Sequence, residues 1–217
     1  MQTKISRKSV IKAAGIAGCI LLLGMMAGCG SGKGEPYVVT MSGVEVKPGQ
    51  TTVQELADAG YEFTDLGGRS LMPVEDENGN KIYLYESVYD LTSEAEAKTE
   101  YSMIIMVKDG EQAASVSLIN ESSESVPVSE CIISYMTIDI EYKDADKIMV
   151  EGVSFDQLSV DKLIELLGKQ SGKLNDSTTR WQRGDYSLNL EISEDGGPKK
   201  ISVSKYYNTE ILGTYKG

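Results

Sequence analysis

Four groups of side chains in this 217-residue chain could carry chemistry. The first is acidic: Asp139 and Glu141, with Asp144 and Asp146 close behind, and earlier Glu75 and Asp76. A glycan hydrolase uses two carboxylates at a fixed separation, one protonated and one ionised. Clustered carboxylates also suit a hard cation. The second is Cys131, a nucleophile only if a base stands beside it. The third is Arg180-Trp181 with Arg183, a locally basic aromatic spot that could meet a partner. The fourth is Cys29, which follows Ala27-Gly28 at the end of an apolar run.

The chain contains no histidine. That removes Ser-His-Asp and Cys-His catalysis, histidine-ligated zinc and the usual general base. Cys131 lies in Ser129-Glu130-Cys131-Ile132-Ile133, an apolar strand-like run, which describes a buried, inert thiol. Asp139 and Glu141 would point the same way on a strand, but neighbouring exposed acids are common, so a solvated turn is the simpler account of the cluster. Glu75-Asp76-Glu77-Asn78-Gly79-Asn80 fails as a calcium loop, because Lys81 stands where glycine is needed and Ser87 where the final glutamate is needed. Asn78-Gly79 reads instead as a hairpin turn. No catalytic set, metal site or cofactor is expected.

The positioning elements follow from periodicity and turn chemistry. Tyr37–Met41 and Gly43–Val46 read as short strands. Thr52-Val53-Gln54-Glu55 has the capping-box spacing, Val53, Leu56 and Ala57 share a face, and Gly60 ends the helix. Strands are expected at Ile82–Tyr85, Tyr101–Val107, Ala114–Ile119 and a bent run from Cys131 to Ile140, with a turn at Asp109-Gly110. Residues 92–99 read as a loop or one helical turn. After Ile148–Val150 the opening theme returns: Gly152-Val153, then Ser159 as a cap, Val160, Leu163, Ile164 and Leu167 on one stripe, and Gly168 as a stop. Strands follow at Thr178–Gln182, Tyr186–Ile192 and Lys200–Tyr206.

The start of the chain supplies the location. Lys4, Arg7, Lys8 and Lys12 precede an apolar run from Ala13 to Ala27, 15 residues long, against about 20 for a membrane-spanning helix. This is the plan of a secretory signal. Met26-Ala27-Gly28-Cys29 resembles the lipobox of bacterial lipoproteins, with Met26 where the family prefers Leu. The resemblance implies cleavage between Gly28 and Cys29, a diacylglyceryl group on the Cys29 sulfur, and a protein held on the extracytoplasmic side of the cell membrane. Removing residues 1–28, with four cations and no acid, leaves 189 residues and takes the net charge from −12 to −16. Such a chain lacks the basic patch that nucleic acid requires. It is not drawn electrostatically to anionic lipid either, so the lipid on Cys29 must do the anchoring.

Four segments result: a signal peptide at 1–28, a lipidated cysteine and flexible Gly/Ser tether at 29–36, and α+β units at 37–146 and 147–217. Each unit is expected to be a short helix plus an antiparallel meander, mostly β, so that the chain reads as a duplication. The sequence Gly, turn, Thr/Ser cap, short leucine-bearing helix, Gly, strands is similar to β-lactamase-inhibitor-like repeats and to the small lipoproteins of outer-membrane assembly. That similarity implies a noncatalytic, protein-binding role. The expected function is therefore a lipid-anchored binding module, its partner a protein at the cell surface. A carboxylate-dependent cell-envelope hydrolase and a solute-binding receptor are the alternatives. The receptor would need two lobes with parallel sheets and more helices than this chain offers.

Overall fold

The computed structural model describes residues 34–65, 74–75, 81–82, 89–142, 144–208 and 214–216. The expected signal peptide, Gly28, Cys29 and the expected Asn78-Gly79 turn lie outside the described residues. So do Tyr83–Tyr85 of the expected strand beginning at Ile82.

The fold is mostly β, an α+β arrangement of antiparallel sheets. In chain order the elements begin with β1 (Val39–Met41), β2 (Val44–Val46), α1 (Val53–Asp58), β3 (Glu62–Asp65), β4 (Val74–Glu75), β5 (Lys81–Ile82) and β6 (Glu94–Ala95). Then come β7 (Thr99–Lys108), β8 (Glu111–Asn120), β9 (Val126–Pro127), β10 (Ile132–Asp139), β11 (Met149–Val150) and β12 (Val153–Ser154). Last are α2 (Val160–Leu167), β13 (Gly172–Lys173), β14 (Thr178–Arg183), β15 (Tyr186–Ile192), β16 (Pro198–Lys205) and β17 (Thr214–Lys216). The 92–99 stretch contains β6, which pairs with β9 to form a small ribbon.

Two hairpins build a four-stranded sheet in the order β12-β11-β1-β2. Their turns are alike. Ser42 and Gly43 have φ of 49° and 83°, and Glu151 and Gly152 have 51° and 81°. Consecutive left-handed residues give the turn whose twist matches that of the strands it joins, and glycine at the second position removes the Cβ clash. The two hairpins meet through β1 and β11, Val39 opposite Val150.

The large sheet runs β13-β14-β15-β16-β10-β8-β7, with β3 and β17 sharing the outer edge of β7. All of its pairs are antiparallel except β7–β17. The β10–β16 ladder, from Tyr135↔Ser204 to Asp139↔Lys200, joins the meander of the first unit to that of the second. Residues 37–146 and 147–217 therefore both contribute strands to both sheets and share one core. The bend expected in the Cys131–Ile140 run is a bulge at Ser134, where pairing with β8 shifts between Ile133 and Tyr135. Ser134 is buried, and its hydroxyl donates to Glu100 Oε1 at 2.7 Å and to the Ser117 carbonyl at 3.2 Å.

Both helices are capped as their sequences require. Thr52 Oγ1 accepts from the Glu55 amide, and Glu55 Oε2 accepts from the Thr52 amide at 2.7 Å, the reciprocal capping box. Ser159 Oγ accepts from the Lys162 amide at 3.1 Å. Two turns of helix are too short to persist alone. α1 holds because Val53 and Leu56 are buried, and α2 because Leu163 is. These side chains join Tyr37, Val39, Phe63, Phe155, Leu188 and Val203 in the core on one face of the large sheet. Each fully buried side chain of this size contributes about 1.5–3 kcal/mol.

Candidate functional site

β14 carries the arginines and tryptophan singled out above, and strand alternation divides them between two faces. Trp181 points into the core and is 2% exposed. Its indole Nε1 donates to the Gly168 carbonyl at 3.1 Å. The carbonyls at a helix C-terminus lack intrahelical donors, and the indole supplies one just beyond α2. Trp181 thus serves as packing and helix cap. Arg180 lies on the opposite face of the sheet, and the three side chains do not form one surface.

That opposite face is polar over four strands. Arg180, Asn189, Ser202 and Thr137 stand in cross-strand register on β14, β15, β16 and β10. Beside them runs a second row, Gln182, Ser187, Ser204 and Tyr135. Asn189 Nδ2 donates to Ser202 Oγ at 3.2 Å, and the Ser187 and Ser204 hydroxyls are 2.8 Å apart. Tyr135 is 37% exposed. Arg180 Nε and Asn189 Oδ1 are enclosed and make no hydrogen bond among the described residues. Enclosed polar atoms without partners are costly, and being enclosed these two do not meet a ligand directly; the side chains open to one on this face are Gln182 and Tyr135. Farther along the sheet the same face is apolar and covered: Ile105 and Ile119 are buried, with Thr64. The polar face is legible in the alternation of Ser187, Asn189 and Glu191 with Leu188 and Leu190.

Arg183 sits at the end of β14 on the core side. Its guanidinium lies 4.5 Å from the centre of the Tyr37 ring and 3.4 Å from Glu151 Oε2. The other Glu151 oxygen accepts from the Val38 amide at 2.8 Å. Burial raises the Tyr37 phenol above its ordinary value, and the neighbouring guanidinium partly offsets this. A second group of the same kind stands two strands away. Lys205 Nζ lies 4.5 Å over the Tyr207 ring and 3.7 Å from Glu121 Oε2. Tyr186 is in register with both cations, opposite Arg183 on one side and Lys205 on the other. The Tyr186 and Tyr207 phenols are also raised, first by burial. At this end Gly34 presses against the backbone: a Cβ there would lie 1.9 Å from the Arg183 carbonyl oxygen. The segment expected to be tether up to residue 36 is thus packed from Gly34 onward.

Two of the acidic candidates, Asp139 and Asp144, have local partners. Glu141 lies in the turn after β10, where Asp139 Oδ1 accepts from its amide at 3.2 Å. Asp139 Oδ2 is 3.6 Å from Lys200 Nζ. Asp144 pairs with Lys147 at 2.5 Å. Asp76 and the Glu75 and Asp146 side chains are outside the described residues. Among the described residues no three Cys, Asp or Glu side chains gather as a metal site. At the same end a shallow cleft holds Ser42, Tyr61, Lys108, Glu111, Asp144 and Lys147. Lys108 Nζ donates to the Ala59 carbonyl at 3.1 Å and lies 4.6 Å over the Tyr61 ring. Cys131 is 1% exposed, and burial, with Glu130 nearby, pushes its thiol up to about 11. Such a thiol is not a nucleophile at neutral pH.

Among the described residues no helix is long and apolar enough to cross a membrane. No protein-family model matches the chain, and no curated protein does. Among solved structures it is similar to a DUF4309 family protein, YjgB of Bacillus subtilis, at 12% identity over 76% of this chain and 86% of that one, with a TM-score of 0.35.

Proposed function

We propose that the protein is a lipoprotein, anchored through Cys29 on the extracytoplasmic side of the cell membrane, whose folded part is a noncatalytic binding module. The observation that carries the binding role is the polar face of β14, β15, β16 and β10, where Gln182 and Tyr135 are exposed beside the row Arg180–Asn189–Ser202–Thr137. The partner is a protein at the cell surface. The module is a duplicated α+β unit. Supporting this are the matching left-handed turns at Ser42-Gly43 and Glu151-Gly152, the capped helices that follow them, and the meanders that meet at β10 and β16.

The test is chemical crosslinking on intact producing cells with three forms: wild type, Cys29→Ser, and the face variant Asn189→Arg with Ser202→Arg. One dominant crosslinked protein, lost in both variants while the circular dichroism stays strand-dominated, is the expected result. Undiminished capture by the face variant would remove the binding assignment from this surface. The absence of any specific crosslink would transfer the role to a glycan or small ligand, to be sought by screening the soluble domain.

A further inference from the structure

We propose that the bilayer faces one particular end of the fold, the end formed by Gly34, the Arg183-Gly184 turn and Tyr206, and that the domain stands on the membrane with its strands leading away from it. This rests on the lipoprotein reading of Cys29. Gly34 is five residues beyond Cys29, and a chain spans at most about 3.6 Å per residue, so Gly34 lies within about 18 Å of the lipid-bearing residue whatever path the chain takes. From Gly34 onward the chain has no slack. Gly34 is seated on the Arg183 carbonyl, Tyr37 lies under the Arg183 guanidinium, and Val38 is bonded to Glu151. Tyr206 belongs to the same end, because its amide donates to the Asp185 carbonyl at 2.7 Å. It is 66% exposed, the most exposed of the large apolar side chains among the described residues. Tyrosine, with an apolar ring and a polar tip, suits the headgroup layer.

The other end is set by strand direction. β15 leaves the Arg183–Asp185 turn and β16 returns to it, so the 193–197 turn is one strand length away, about 23 Å for seven residues. The mature chain's excess of acid disfavours lying flat on anionic headgroups. The polar face of β14, β15, β16 and β10 then stands roughly upright, open sideways to a partner on the same membrane.

The experiment uses the mature lipidated protein in phosphatidylglycerol vesicles doped with a nickel-chelating lipid. A nitroxide is placed at Tyr206→Cys or at Glu194→Cys, both exposed positions, while Cys131 stays buried and unlabelled. Intact mass first checks the acylated cysteine; its absence overturns the anchoring reading and this proposal with it. With the acyl group present, the expected result is strong relaxation enhancement at 206 and little at 194. Inserting about 20 Gly/Ser residues after Gly30 should weaken the enhancement at 206. Equal enhancement at both positions, or a larger one at 194, overturns the proposed orientation and leaves the lipid anchor intact.

Discussion

The indole nitrogen of Trp181 and the carbonyl of Gly168 are hydrogen-bonded at 3.1 Å, tying the end of α2 to the middle of β14. Trp181→Phe should keep most of the buried ring but leave that carbonyl without its donor, a loss of about 1 kcal/mol. Trp181→Ala should lose about 3–5 kcal/mol. Urea titrations read both, and equal losses in the two variants would mean that the hydrogen bond, not the packing, carries the residue.

Asn120 is a second buried polar anchor. Its Nδ2 faces the carbonyls of Ala95, Glu96 and Glu124 at 2.8–3.1 Å, and its Oδ1 accepts from the Ser122 amide and hydroxyl. Asn120→Ala should cost about 1–3 kcal/mol and loosen the β6–β9 ribbon. Hydrogen exchange of the Lys98 and Ser122 amides checks this; unchanged exchange would show that the ribbon stands without Asn120.

Gly34→Ala would drive a methyl group into the Arg183 carbonyl. Overpacking of this kind costs about 1–3 kcal/mol, or less if the segment detaches. Limited proteolysis at Glu35 should therefore be faster in Gly34→Ala. Equal rates would mean that the first residues are not held as described.

Alkali should destabilise the fold. The Cys131 thiol titrates at about 11 when folded, against an ordinary value of 9.0. A raised folded value means that the unfolded chain loses its proton first. The associated stability is complete below about pH 9 and is lost as the pH climbs to about 11. The buried Tyr37, Tyr61, Tyr186 and Tyr207 phenols are shifted in the same direction. Cys131→Ala should flatten the stability profile between pH 9 and 11 relative to wild type. The same steep profile in both would exclude the thiol as a contributor.

The Arg183–Glu151 pair should matter modestly. Arg183 is one-third exposed and its N···O distance is 3.4 Å. A double-mutant cycle with Arg183→Met and Glu151→Gln should give a coupling of about 0.5–1 kcal/mol that falls with added salt. A salt-independent coupling would point to the Tyr37 stacking rather than the ion pair.

The local devices of this fold were readable in the sequence. The Thr52–Glu55 capping box, the Ser159 cap and the Asp109-Gly110 turn each depend on residues within a few positions of one another. The pairing of β1 with β11 and of β10 with β16 depends on partners far away, and no local pattern specifies which strand a given edge will meet. The same limit explains Trp181. Its flanking arginines suggested a surface, yet period-two alternation puts Arg180 outside and the indole inside, and only the arrival of α2 decides which face becomes the core. The Ser134 bulge likewise answers to its neighbours Ser117 and Glu100 rather than to its own sequence.

The bond from the Val38 amide to Glu151 spans 113 positions, and β1 lies beside it, between β2 and β11. A chain that emerges from a translocation pore amino terminus first therefore exposes one edge of β1 until β11 has followed. The first hairpin can form early, but the sheet cannot close until β11, at Met149–Val150, is available. Such non-local closure makes for slow folding, and under the anchoring proposed above the waiting strand follows the lipid-bearing Cys29 by only ten residues.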